Sequence, residues 1–139
     1  MTGTLVDSGF LIALFRRRDR LHRAARNHLQ AHTYPLVTVA PVVVETSFFL
    51  PARGKADLLE SILRGGMAVA ELPQDAYREI KAIVLKYADR DIDFADAALI
   101  WFAGVSGCRS ILTVDERDFS VYRLKGNKRF EVIGWQGND

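Results

Sequence analysis

"GTLVDSGFLIALFRRRDRLH" occupies Gly3 to His22. A short apolar run, Thr4–Val6, stops at an acid, Asp7, and the period then changes to helical. Phe10, Leu11, Leu14 and Phe15 fall on one face of Ser8–Arg17. Taken alone, Asp7 reads as the cap of the helix that follows. Its other reading is the first member of an acidic site, and the rest of the chain bears on that choice.

The same change of period recurs. "PLVTV" (Pro35–Val39), "MAVAEL" (Met67–Leu72) and "SILTV" (Ser110–Val114) are further short apolar runs, and "FEVIGW" (Phe130–Trp135) is a weaker one. Continuous runs of this length suit strands covered on both faces. Helical stretches separate them. Asp19 is placed to cap a helix with Leu21, Ala24, Ala25, His28 and Leu29 inward. Pro41 suits the first turn of a helix through Leu50, and Ala56–Leu63 is a helix ended by Gly65-Gly66. Gln74–Ala88 and Asp93–Ser106 follow, the last with Gly107 as its stop. Strands alternating with helices give an α/β fold, a three-layer α/β/α sandwich around a mostly parallel five-stranded sheet. The 139 residues are the size of one domain, expected over 1–139.

Composition excludes several classes. A hydrophobic fraction of 49% is too high for a disordered chain. A net charge of +2 is no uniformly basic surface, so a nucleic-acid role rests on local charge. One cysteine, Cys108, allows no disulfide within the chain and fits a reducing cytoplasm. The apolar runs are too short to span a bilayer, and no secretory signal opens the chain. The expectation is a cytoplasmic protein with no membrane role.

In parallel sheets, sites form beyond the carboxyl ends of the strands. Asp115 in "ILTVDERDF" repeats the placement of Asp7, an acid ending an apolar strand. Glu45 lies inside "PVVVETSFFL", where an ionised carboxylate is costly unless paired or bound to a cation. Asp93 and Asp96 in "DIDFADAALIWFAG" share a helix face at a spacing of three. Asp93 suits the cap, while Asp96 has small neighbours, Ala95 and Ala97. Asp118 is a further candidate, also readable as a solvated loop acid. Ser8 and Thr113 are hydroxyls placed to orient a carboxylate or water, or to serve as ordinary cap and strand-end residues.

Carboxylates meeting at one rim repel each other, and a hard divalent cation offsets this. Mg²⁺ or Mn²⁺ takes oxygen ligands and bridges to phosphate. Zinc fits poorly, with one cysteine and only the helix-spaced pair His28 and His32. Arg16, Arg17, Arg18, Arg20, Arg23 and Arg26 crowd one segment, and Arg117, Arg123, Lys125, Lys128 and Arg129 another. Beside an acidic, metal-filled floor such groups suit a nucleic-acid backbone, and a solvated face is the plainer alternative. Arg16, Arg17, Arg18, Arg20 and Arg117 are the candidate RNA-binding residues. Phe119, Tyr122 and Trp135 are readable as base-stacking rings or as core.

"LVDSGFLIALF", "VVVETSFFL", "DIDFADAALIWFAG" and "ILTVDERDF", in this order, resemble the successive motifs of PIN domains, closest to the toxin-like branch of VapBC toxin–antitoxin pairs. The resemblance runs from about Gly3 to Trp135. It implies a Mg²⁺- or Mn²⁺-dependent endoribonuclease with Asp7, Glu45, Asp96 and Asp115 as catalytic, metal-holding acids. It implies auxiliary roles for Asp93 and Asp118, and Thr113 matches the family's hydroxyl before the last acid. It also implies a homodimer held inactive by a small antitoxin. One position departs: many members carry Ser or Asn two residues after the first Asp, where this chain has Gly9.

Two other readings stand beside the ribonuclease toxin. One is a stand-alone PIN protein in RNA processing, or a catalytically weak nucleic-acid-binding or interaction module. The other is a phosphatase or receiver-like domain. Gly9 in place of a second Asp, and no lysine after the late strand, weigh against the latter.

Overall fold

A computed structural model of the chain describes residues 3–137. The order is β1 (Thr4–Val6), α1 (Ser8–Phe15), α2 (His22–Ala31), β2 (Leu36–Val39), α3 (Ala40–Ser47), α4 (Ala52–Leu63) and β3 (Ala68–Ala70). Then come α5 (Ala76–Lys86), a 3-10 turn (Ala88–Arg90), α6 (Phe94–Ser106), β4 (Ser110–Leu112) and α7 (Glu116–Val121). A small hairpin of β5 (Arg123–Leu124) and β6 (Lys128–Arg129) precedes the last strand, β7 (Glu131–Val132).

Five strands form one parallel sheet in the order β3-β2-β1-β4-β7, between helices in a three-layer α/β/α arrangement. Leu5 of β1 lies level with Val37 on one side and Ile111 on the other. Leu5, Val6, Val39, Ile111 and Leu112 are buried, as continuous apolar strands in a covered sheet must be. Chain order reverses across β1, where β2 lies to one side and β4 to the other. This is the crevice at which open α/β sheets place their sites.

The expected strands and long helices are present with shifted ends. The sequence expectation began α4 at Ala56, past Gly54, but the helix starts at Ala52. Gly54 is buried, and a Cβ there would lie 2.9 Å from the Phe15 carbonyl oxygen. The glycine lets α4 approach the end of α1 and is not a break. Asp19 does not cap α2; its carboxylate accepts from the Leu21 N–H at 2.9 Å within the preceding turn. Gly107 ends α6 as expected, at φ 80°, with its N–H on the Ala103 carbonyl. Helix α7 and the hairpin were not foreseen. Asp118 accordingly lies in a helix rather than a loop.

Phe119, Tyr122 and Trp135 are buried, so all three are core rings. Phe10 meets Trp135 edge-on at 4.8 Å, and Phe119 meets Tyr122 the same way at 5.1 Å. Among the described residues, no helix is long and apolar enough to cross a membrane.

Candidate active site

Three helices start at the carboxyl edge of β1 and β4, and each has an aspartate at its N-cap: Asp7 for α1, Asp93 for α6 and Asp115 for α7. The caps are not alike. Asp93 accepts from the Asp96 N–H at 2.8 Å, an ordinary cap bond. Asp7 accepts from the Phe10 N–H at only 3.4 Å, and Asp115 makes no side-chain cap bond. Asp7 and Asp115 are therefore not consumed in capping. The three helix N-termini bring partial positive charge toward the acids.

Asp7 is 3% exposed. Its backbone N–H continues the β1–β4 ladder to the Leu112 carbonyl at 3.2 Å, which fixes its place. Thr113 donates its hydroxyl to the second Asp7 oxygen at 2.5 Å and accepts the Asp115 N–H at 2.9 Å. One hydroxyl thus ties the ends of the two central strands together. Thr113 is itself buttressed, since the Trp135 indole N–H donates to its carbonyl at 2.9 Å.

Asp96 accepts the Tyr122 hydroxyl at 2.9 Å. Tyr122, a buried ring between Phe119 and Tyr87, was read as a base-stacking ring or as core, and its role as the donor to Asp96 was not foreseen. Glu45, half-buried on α3, accepts the Ser8 hydroxyl and is so linked to the residue beside Asp7. Asp118 pairs with Arg90 at 2.8 Å. Arg90 was also overlooked, although "ADRDIDF" sets this one cation among acids.

Burial raises the Asp7 carboxyl to about 7, with the Asp115 charge adding to it and the Thr113 hydrogen bond opposing it. Burial likewise raises Asp96 to about 8, and the charges of Asp93, Asp7 and Asp115 push the same way. Asp115 is raised by partial burial and then by Asp118 and Asp93. These acids therefore share one electrostatic field, as the rim placement requires. Burial and Asp96 push the Tyr122 phenol well above its usual range, which keeps it a donor.

This donor set is all carboxylate and hydroxyl oxygen, which suits a hard divalent cation and not zinc. The raised acids are the specific observation in favour: the site lacks positive charge to let them ionise together. Among the described residues, no three His, Cys, Asp or Glu side chains already stand close enough to hold an ion.

The candidate arginines divide. Arg117 lies in the first turn of α7, two residues beyond Asp115. Arg16, Arg17 and Arg18 follow the far end of α1, about 12 Å along the helix from Ser8. There they border a cleft of about 660 Å³ with Phe48, Phe49 and Arg53. Arg20 is exposed in the turn before α2.

Residues 4–125 match the PIN domain family. The chain belongs to the PIN-domain family. It is 32% identical over 133 residues to Ribonuclease VapC26 of Mycobacterium tuberculosis, covering 93% of this chain and 98% of that one. The fold is similar to that of Mycobacterium tuberculosis VapC20, a sarcin-ricin loop cleaving toxin. That match has a TM-score of 0.67 at 18% identity and covers 80% of this chain and 87% of that one. It is also similar to a chain of a toxin–antitoxin complex from Klebsiella pneumoniae, with a TM-score of 0.62 at 18% identity over 95% and 97% of the two chains.

Within this PIN domain the departure at Gly9 has a packing cause. A Cβ there would fall 2.2 Å from Val114 Cγ2 and 3.2 Å from Val114 Cβ. Val114, between Thr113 and Asp115, occupies the space a side chain at position 9 would need. The pair holds the β4 end against the first turn of α1.

Proposed function

We propose that this PIN domain is a metal-dependent endoribonuclease that hydrolyses RNA phosphodiester bonds, and that it is the toxin of a type II toxin–antitoxin pair in the cytoplasm. The observation that carries the reading is the pair of carboxylates Asp7, buried, and Asp96, partly buried, each held by one buried hydroxyl donor in the crevice between β1 and β4. The ribonuclease relative supports the activity, and the likeness to a toxin–antitoxin structure supports a small protein partner.

Asp7, Asp96 and Asp115 would hold Mg²⁺ or Mn²⁺, with Glu45 completing the set. The ion would supply the positive charge and water activation that phosphodiester hydrolysis needs. Thr113 orients Asp7, Tyr122 orients Asp96, and Ser8 orients Glu45. Asp93 and Asp118 keep the rim acidic around them. Arg117 is placed to meet a phosphate. The cleft with Arg16, Arg17, Arg18 and the exposed Phe48 and Phe49 suits an acidic, apolar-edged antitoxin segment better than the scissile phosphate. A homodimer completes the proposal.

Purified protein with Mn²⁺ should cleave RNA, and Asp7→Asn or Asp96→Asn should lower kcat at least about a hundredfold with the fold intact. Mg²⁺ or Mn²⁺ should raise the parent's Tm and leave that of Asp7→Asn unmoved. Cleavage that survives both substitutions would end the reading. A catalytically weak binding module is the second reading. Gly9, which offers no polar side chain at its position, motivates it, and the likeness to a ribonuclease weighs against it.

A further inference from the structure

A second groove, of about 750 Å³, opens between α5, α6 and the β5–β6 hairpin. Trp101 and Ile100 of α6 and Ile83 of α5 floor it, while Lys86, Arg123 and Lys125 edge it. Glu79 is its only acid. The groove shares elements with the candidate active site: Ile100 lies one helical turn beyond Asp96 on α6, and Arg123 follows Tyr122, whose hydroxyl holds Asp96.

The edge is built rather than incidental. Tyr87 accepts the Arg123 N–H on its hydroxyl at 2.7 Å and carries the Lys86 ammonium 5.4 Å over its ring. The Arg123 guanidinium donates to the carbonyls of Ser120 at 2.8 Å, Val121 at 2.9 Å and Tyr122 at 3.1 Å, which ties it to the end of α7 beside the groove. Arg123 also stands directly opposite Arg129 across the hairpin, which gathers two cations on this ribbon.

Gly104 is the second sign. It lies inside α6, where glycine costs about 1 kcal/mol relative to alanine, yet a Cβ there would meet nothing within 4 Å. No packing within the chain requires it, and it leaves the groove open two turns beyond Asp96.

We propose that this groove carries the single-stranded RNA leaving the active site, with Lys86, Arg123 and Lys125 on its phosphates and Trp101 against its bases. This deepens the ribonuclease reading and rests on it. From Asp96 to Gly104 is about 12 Å along α6, room for about three nucleotides at a stacked rise of about 3.4 Å. Cationic edges with an aromatic floor are the chemistry of sequence-tolerant single-strand binding.

The test uses the full chain and a fluorescein-labelled 12-nucleotide RNA of mixed sequence, followed by anisotropy in EDTA so that nothing is cleaved. Gly104→Met fills the groove and favours the helix. Lys86→Gln with Lys125→Gln removes two charges at exposed positions. Each variant should weaken binding of the 12-mer about tenfold and leave cleavage of a dinucleotide unchanged. In the double variant, the slope of log K against log salt should become shallower by about 1.4, about 0.7 per phosphate contact. Parental affinity in both variants overturns the groove, as does a changed oligomeric state of Gly104→Met with unchanged RNA binding, which would assign the face to a second copy. A parent that binds the 12-mer through these residues but never cleaves it refutes the nuclease and leaves the groove standing. A parent that cleaves while the variants bind normally does the reverse.

Discussion

The acids of the rim form two halves that look alike in sequence and differ in physics. Asp7 is taken out of water and Asp96 largely so, and each receives one hydroxyl from a buried neighbour, Thr113 or Tyr122. Asp93 and Asp118 stay in or near solvent and are satisfied locally, by the first turn of α6 and by Arg90. The buried pair is pushed up to about 7 and about 8. The exposed pair acts mainly as a field on its neighbours. What turns an aspartate at a helix start into a candidate ligand is burial with few donors and no cation, because charge is then left unmatched.

Thr113→Val is the strongest way to break this contrast. It keeps the shape of the side chain, leaves Asp7 without its hydroxyl donor and leaves the Asp115 N–H without its acceptor. We expect kcat for RNA cleavage in Mn²⁺ to fall by about 30- to 100-fold with the circular dichroism unchanged. Activity within threefold of the parent would mean that β1 alone positions Asp7.

The next test sharpens the contrast through pH, in metal-free protein. Asp7 and Asp96 have folded-state values above the 3.8 of an unperturbed aspartate, so the folded state holds more protons between pH 3.8 and about 8. Stability must then fall as pH rises through that window and level off above it. Chemical denaturation at pH 5 and pH 8 should differ by at least about 2 kcal/mol, roughly 5 °C or more in Tm. Asp7→Asn should remove roughly half of the slope, leaving the Asp96 part, and Asp118→Asn should keep most of the slope. A flat profile in the parent would show that the acids are hydrated rather than buried.

These halves were unequally legible. The strand–acid–helix pattern at Thr4–Phe15 and again at Ser110–Asp115 was enough to place the parallel sheet and put Asp7 and Asp115 on one rim. Long, strongly periodic elements such as α6 left little choice. Of the two donors, Thr113 was legible as a hydroxyl placed to orient a carboxylate, while Tyr122 was not, because it comes from a segment whose pattern is weak. Tyr122 sits between a six-residue helix and a hairpin of two-residue strands, both too short to show a period. Its partner, Asp96, is 26 residues away, and only the tertiary fold brings them together. Trp135 lies beyond β7, so its support of Thr113 could not be read either. Gly9 was legible as a departure, yet its cause, the Val114 side chain, is a contact across 105 residues.

That contact yields a prediction on the buried side. Gly9→Ser should destabilise the protein by about 1–2 kcal/mol, because a Cβ there would meet Val114 at Cγ2 (2.2 Å), Cβ (3.2 Å) and Cγ1 (3.3 Å), so that turning one methyl away does not clear the space. Adding Val114→Ala should recover most of the loss, and a double-mutant cycle in urea measures the coupling. Additive costs would mean that the two residues do not share one space.

The smallest effect is expected from the exposed half. Arg90 and Asp118 are 33% and 42% exposed, and an ion pair so open to water and salt contributes about 0.5 kcal/mol or less. Arg90→Gln should therefore leave the urea midpoint nearly unchanged. It should also free the Asp118 charge to act on Asp115, whose carboxyl that charge already raises. The expected signature is a KM for RNA that rises about twofold at low salt and returns to the parental value at high salt, with kcat steady. If Arg90→Gln instead cost as much activity as Thr113→Val, the division between a buried pair that binds and an exposed pair that only tunes the field would fail. Arg90 would then belong with the residues that hold the reacting centre.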